Sequence, residues 1–210
     1  MRRPDFVARQ GRCPSGVLGA VIGRFMAHET MRENAIAIEL LRLEPTDRVL
    51  ELGFGHGRTI RSIVERVAEG HVAGVDFSAT MLRLASSVNR DAIAQGRVEL
   101  QQGDSISLVY PDQVFDKLLA VHTIYFWENP AAHLRECRRV LRPSGLLVLG
   151  FRPREQAQIA DFPATVYNFR SVAEICELLR AAGFATSEVT ESRLAKRVIT
   201  FVTARVSASQ

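Results

Sequence analysis

The stretch Glu51-Leu52-Gly53-Phe54-Gly55-His56-Gly57 constrains this chain more than any other. It follows a short apolar run, Arg48 to Leu52, and precedes a helical pattern from Arg58 to Ala68 with Ile60, Ile63, Val64 and Val67 on one face. Glycines at such a strand-to-helix junction permit positive backbone torsions and let a ligand approach the main chain without Cβ clashes. The helix N-terminus beyond them offers unpaired N–H groups and a partial positive charge. A tight turn that binds nothing satisfies the same pattern, so the loop needs support from elsewhere in the chain.

That support comes from the order of elements. His71 to Asp76 reads as a second strand, Arg97 to Gln101 as a third, Phe115 to Val121 as a fourth and Leu146 to Phe151 as a fifth. The fourth is apolar nearly throughout, as a strand covered on both faces should be. Helices are expected over Asn34 to Leu43, Ser78 to Asn89 with Ser78 as N-cap, Pro130 to Leu141, and about Val172 to Ala182 ending at Gly183. Two β-like runs, Ala185 to Thr190 and Arg197 to Val206, close the chain as an antiparallel hairpin. Alternating strands and helices predict an α/β fold, a doubly wound and mostly parallel seven-stranded sheet with that hairpin at its end. Sheets of this kind bind ligands beyond the carboxyl ends of their strands.

Two acids fall at that edge. Asp76 ends strand two, where a carboxylate can accept both hydroxyls of a ribose; an exposed strand-end aspartate is the plainer alternative. Asp104 ends strand three beside Ser105, where it can accept an adenine amine or simply shape a turn.

The 210 residues, 47% apolar and 24% charged, suit one globular domain with a full core. Cys13, Cys137 and Cys176 form no CxxC or Cys/His cluster, so no metal site is expected and a reducing cytoplasm fits best. The formal charge of +4 comes with arginines spread along the chain, as on a solvated surface. The apolar segment Val17 to Ala27 is broken by Gly19, Gly23 and Arg24 and has no cleavage site after it. It reads as an amphipathic helix that either covers a pocket or touches a membrane peripherally. Residues 1–43 are therefore expected to form a helical lid on a 44–210 cofactor-binding domain, the two making one structural unit.

Taken together, Val49 to Gly57 resembles motif I of the class I S-adenosylmethionine-dependent methyltransferases. Gly74-Val75-Asp76-Phe77-Ser78 resembles the strand-two motif of that family, and Gly103-Asp104-Ser105 with Phe115 to Leu119 its segments around strand four. The run from Arg138 to Leu147 is similar to the family's approach to strand five. The resemblance implies S-adenosylmethionine as cofactor, with Gly53, Gly55 and Gly57 against its methionine part and Glu51 ordering the loop or meeting the amino group. It implies further that Asp76 holds the ribose and that Phe77 and Met81 pack near the adenine. Asp104 and Ser105 then meet the adenine amine, and Ala120, Val121 and His122 lie near the sulfonium. His56 and Ser144 depart from the family pattern, which favours a small or apolar residue at the first and glycine at the second.

A nicotinamide-dependent oxidoreductase is the rival on fold, but its third glycine would stand where this chain has Arg58. A non-catalytic cofactor-binding domain is the other alternative. Methyl transfer needs a nucleophile held close to the methyl carbon, and a weakly acidic one needs a base. His122 and Tyr125 are the catalytic candidates, with His28, Phe126 and Trp127 lining the acceptor pocket. No Asn/Asp-Pro-Pro-aromatic motif follows strand four, which speaks against nucleic-acid base amines. The expected partner is a small, partly apolar or aromatic molecule, and the overall pattern is similar to the quinone-biosynthesis C-methyltransferase group. Nothing in the sequence sets the oligomeric state.

Overall fold

The computed structural model describes residues 5–156, 159, 161–194 and 197–208. Seven strands form one sheet: β1 (Arg48–Leu52), β2 (His71–Asp76), β3 (Val98–Gln102), β4 (Phe115–Val121), β5 (Leu141–Phe151), β6 (Phe184–Leu194) and β7 (Arg197–Val206). Their order is β3-β2-β1-β4-β5-β7-β6, parallel from β3 to β5, with β7 antiparallel to both β5 and β6. This is the expected doubly wound sheet and terminal hairpin; the hairpin turn at 195–196 lies outside the described residues.

Alternation along the strands splits the core into two layers. Leu50 and Leu52 of β1, Leu118 and Ala120 of β4, and Leu147 and Leu149 of β5 face one side. There they meet α7 (Pro130–Val140) and α8 (Val172–Ala181) through Leu134, Cys137, Ile175 and Leu179. Val49, Leu119 and Val148, one residue out of step, face the other side. That side is covered by α3 (Met31–Leu41), α4 (Arg58–Val64) and α5 (Ala79–Val88). Because α3 buries Ala37, Ile38 and Leu41 here, it is a core layer as well as part of the N-terminal segment. Helices α1 (Asp5–Arg12) and α2 (Gly16–Glu29) lie outside these two helical layers: α2 rests on α5 and α3, and α1 rests on α2 while burying Ala8 against the first side of the core.

Some elements depart from their expected bounds. The α4 helix stops at Val64 rather than Ala68, and a short α6 (Arg90–Ala94) follows α5. The fifth strand begins at Leu141, because Phe115 pairs with Leu141 and Lys117 with Leu146, leaving 142–145 as a bulge. Ser144 sits in that bulge with φ 64, the left-handed torsion that explains why glycine is the commoner residue there.

Candidate active site

The sheet changes direction between β1 and β4: connections from β1 run to β2 and β3, and those from β4 run to β5. A crevice opens at such a switch point beyond the strand ends. Here it is a cavity of about 1110 Å³. That exceeds the upper end of the usual range for a single drug-sized ligand, about 1,000 Å³.

The glycine loop forms its floor. Gly53, with φ 71, turns the chain out of β1, and a methyl group on it would stand 2.3 Å from the Thr123 side chain. Gly55, with φ 51, faces open space, and its N–H donates to Asp76 Oδ2 at 2.8 Å. Asp76 Oδ1 accepts the Ser78 N–H at 2.8 Å, so one buried carboxylate ties the β1 loop to the start of α5. Burial raises the Asp76 pKa against those two hydrogen bonds. Glu51, buried beneath the loop, is pushed up to about 8 by burial, with the Asp76 charge adding and a Thr59 hydrogen bond opposing.

Further along this rim Asp104 is half exposed and accepts the Ile106 N–H at 3.1 Å. Ser105 Oγ lies 2.8 Å from His133 Nδ1, and His133 stacks on Trp127 with ring centres 4.8 Å apart. Burial lowers the His133 pKa, which keeps the ring neutral. Phe77 is exposed at the mouth and Met81 is buried, both bordering the cavity.

The opposite wall is aromatic. After β4, His122 takes a left-handed torsion, φ 59, and a 3₁₀ turn, Ile124–Phe126, brings Tyr125 inward. Tyr125 lies 4.8 Å from Phe169 between ring centres, and Phe126 lies 5.0 Å from Tyr167, which Phe162 closes at 4.9 Å. The Asn168 N–H donates to the Tyr125 carbonyl at 2.9 Å and fixes this irregular segment to the turn.

Between floor and wall is a chain of polar contacts. His122 Nε2 bonds Glu33 Oε2, and His122 Nδ1 lies 3.0 Å from the Tyr125 hydroxyl. That hydroxyl accepts the Arg152 N–H, so its own proton points to His122 Nδ1, leaving Nε2–H to donate to Glu33. The Arg152 guanidinium stands 3.7 Å from Glu33 Oε1 and 6.0 Å from the Phe162 ring centre. Burial holds the Tyr125 phenol well above its ordinary pKa, so it remains protonated.

All but two of the expected site residues thus border one cavity: Glu51, Gly53, Gly55, Gly57, Asp76, Phe77, Met81, Asp104, Ser105, Val121, His122, Tyr125, Phe126 and Trp127. The exceptions are Ala120, which is buried in the core, and His28, which is exposed on α2; both lie outside the lining. The chain meets the cavity on either side of His28, at Gly23 and at Glu29. Sequence reasoning missed Glu33, His133, Arg152 and the aromatic group Phe162, Tyr167 and Phe169. Glu33 carried one signal, a carboxylate four and five residues before Ala37 and Ile38 on the buried side of a helix.

Residues 50–149 match the family model described as a methyltransferase domain. The chain is 28% identical over 169 residues to the uncharacterized methyltransferase YdaC of Bacillus subtilis, covering 80% of this chain and 88% of that one. The chain is an S-adenosylmethionine-dependent methyltransferase. The methyltransferase is also 30% identical to 2-methyl-6-phytyl-1,4-hydroquinone methyltransferase 2 of Oryza sativa subsp. japonica, over 74% of this chain but 44% of the rice protein. Its fold matches the crystal structure of a SAM-dependent methyltransferase from Aquifex aeolicus, with TM-score 0.65, 21% identity, and 83% and 89% of the two chains covered.

The floor of the methyltransferase's cavity fits the cofactor of its family. The open space over Gly55 is a cradle that any Cβ would fill. Glu51 Oε2 and Thr123 Oγ1 are buried at that cradle without a hydrogen-bond partner among the described residues, an acceptor and a hydroxyl left for a polar ligand.

Proposed function

We propose that this enzyme methylates a small acceptor with a partly apolar, aromatic body, held against Phe126, Phe162, Tyr167 and Phe169. The observation that carries this reading is the continuity of one cavity from the glycine loop to that aromatic wall, with His122 at the join. The two ends differ in chemistry as a polar cofactor and an apolar acceptor differ.

In this reading Gly53, Gly55 and Gly57 face the methionine part of the cofactor, and Glu51 meets its ammonium group. Asp76 takes the ribose hydroxyls, Phe77 and Met81 flank the adenine, and Asp104 with Ser105 meets its amine. Val121 borders the reacting centre. The cofactor, when bound, supplies an electrophilic methyl group on a sulfonium.

The chain's own work is to orient the acceptor, exclude water and receive a proton. Tyr125 accepts the acceptor's proton at its hydroxyl oxygen as its own proton moves to His122 Nδ1. The imidazolium that results is held at Nε2 by the Glu33 carboxylate. Tyr125 therefore ends each transfer neutral, as its raised pKa requires. N-terminal helices α1 and α2, which reach the cavity through Gly11, Pro14 and Gly23, act as its cover.

No helix among the described residues is long and apolar enough to cross a membrane. A cytoplasmic enzyme is the setting that matches its three free cysteines.

Calorimetric titration with S-adenosylmethionine, S-adenosylhomocysteine and NAD tests the cofactor assignment; binding of the first two without NAD is expected. Incubation with labelled S-adenosylmethionine and a panel of phenols, hydroquinones and aliphatic amines tests the acceptor class. Label on the amines alone would overturn the aromatic reading.

A further inference from the structure

Helix α2 has its bulk on the wrong side for a helix that serves only to cover a pocket. Gly19 and Gly23 lie on its inward face. A methyl group on Gly19 would stand 2.6 Å from the Pro14 backbone, and one on Gly23 would stand 2.7 Å from the Met81 side chain. The helix therefore lies directly on what is beneath it. Three of its large apolar side chains point away: Leu18, Val21 and Phe25, spaced three and four apart on one face, are 52%, 60% and 64% exposed. Phe6 of α1 is 62% exposed and Met31, at the start of α3, is 50% exposed. Met31 also borders the cavity with Glu29 and Thr30, so the apolar surface runs up to the cavity rim. A surface helix ordinarily buries such a stripe, and an exposed one marks an interaction surface.

Charge identifies what it meets. Arginines occur all along the chain, but the acids that balance them do not. Residues 1–32 contain six arginines against Asp5 and Glu29, which accounts for the whole formal net charge of +4; the remainder of the chain is neutral. Arg9, Arg12 and Arg32 are exposed. A second copy docking face to face would bring like charge against like. A bilayer with anionic headgroups satisfies both features, taking the apolar stripe at the acyl boundary and the arginines among the phosphates.

We propose that α1, α2 and the start of α3 form a docking surface for an anionic lipid bilayer, from which a lipophilic acceptor enters the cavity past Met31. The second half of this statement rests on the apolar-acceptor reading above; the docking itself does not. The attachment is peripheral and reversible.

Sedimentation of the full chain with phosphatidylcholine vesicles, with and without phosphatidylglycerol, tests it. Binding to the anionic vesicles is expected, weakening as salt is raised. The variant Leu18→Ser/Val21→Ser/Phe25→Ser should lower the bound fraction about tenfold, as loss of the inserted apolar area requires. Its calorimetric titration with S-adenosylmethionine should be unchanged. Should that variant fail to fold, Arg9→Glu/Arg32→Glu keeps the apolar stripe and should release the protein from anionic vesicles.

A wild-type chain that stays in the supernatant with anionic vesicles overturns the proposal. So does a dimer, seen by light scattering, that the apolar variant dissociates without changing vesicle binding. Vesicle binding without any S-adenosylmethionine binding would instead sink the assigned function and leave the docking surface standing.

Discussion

At the glycine-loop end of the cavity the polar groups are main-chain amides and strand-end carboxylates, and each is held by a near neighbour in sequence or by an adjacent strand. Asp76 tying Gly55 to Ser78 is the pattern. At the aromatic end Glu33, Arg152 and Tyr167 arrive from separate segments to meet His122 and Tyr125, mostly through side chains. The first end is set by backbone geometry, which tolerates little change of sequence. The second is set by packing, which can be rebuilt for another acceptor while the first is kept. The two ends should therefore fail separately when mutated.

The largest effect is expected at Glu33. Glu33→Ala leaves Arg152 with an unpaired, largely buried charge and His122 without its partner; breaking a buried pair typically costs about 3–5 kcal/mol. Thermal or urea unfolding should show that loss, while the folded fraction still binds S-adenosylmethionine. Glu33→Gln keeps a hydrogen bond to His122 but cannot stabilise the imidazolium, so kcat should fall about tenfold with less loss of stability. Loss of cofactor binding in either variant would mean that the two ends are coupled.

Asp76→Ala is the converse. It removes the ribose partner and also the acceptor for the Gly55 and Ser78 amides. Cofactor affinity should weaken by about 3 kcal/mol, roughly a hundredfold in Kd, since bonds to a charged group exceed neutral ones. An unchanged Kd in calorimetry would show that the ribose lies elsewhere.

His122→Asn tests the join. Asparagine tolerates the left-handed torsion at 122, so the backbone should hold while the proton acceptor is lost. We expect kcat to fall about a hundredfold with cofactor Kd unchanged. An unaltered rate would remove His122 and Tyr125 from proton transfer.

The same contrast accounts for what the sequence disclosed. The strands at 48–52 and 71–76 are legible because each is short, largely apolar and followed by glycine or ended by an acid, and the site residues of the floor follow them directly. Glu33 and Arg152 are 119 positions apart and meet only through tertiary packing, which periodicity does not encode. His133 carries no signal in a helical pattern that starts at Pro130; its stacking on Trp127 depends on where α7 docks. The aromatic segment 162–169 has no regular element to announce it. α1 has a short, mostly polar sequence, and its place is set by Gly11, where an added methyl group would stand 2.4 Å from the Tyr167 hydroxyl.

The last effect is the one that separates the two ends by pH. Folding raises the Glu51 pKa from 4.5 to about 8, chiefly by burial. Between those values the folded chain keeps a proton that the unfolded chain has released, so stability declines as pH rises from about 4.5 towards about 8. Below that window both states are protonated and the penalty is absent. Glu51→Gln removes the titration, so its melting temperature should match the wild type near about pH 5 and exceed it near about pH 9. An ammonium group beside Glu51 favours the carboxylate, and cofactor binding near neutral pH should therefore release a proton. Calorimetry in phosphate and in Tris should give different apparent enthalpies for the wild type and equal ones for Glu51→Gln. Equal enthalpies in both proteins would move the ammonium away from Glu51. The Glu33 and His122 variants should keep the wild-type proton release, because Glu51 titrates at the floor, away from the aromatic wall.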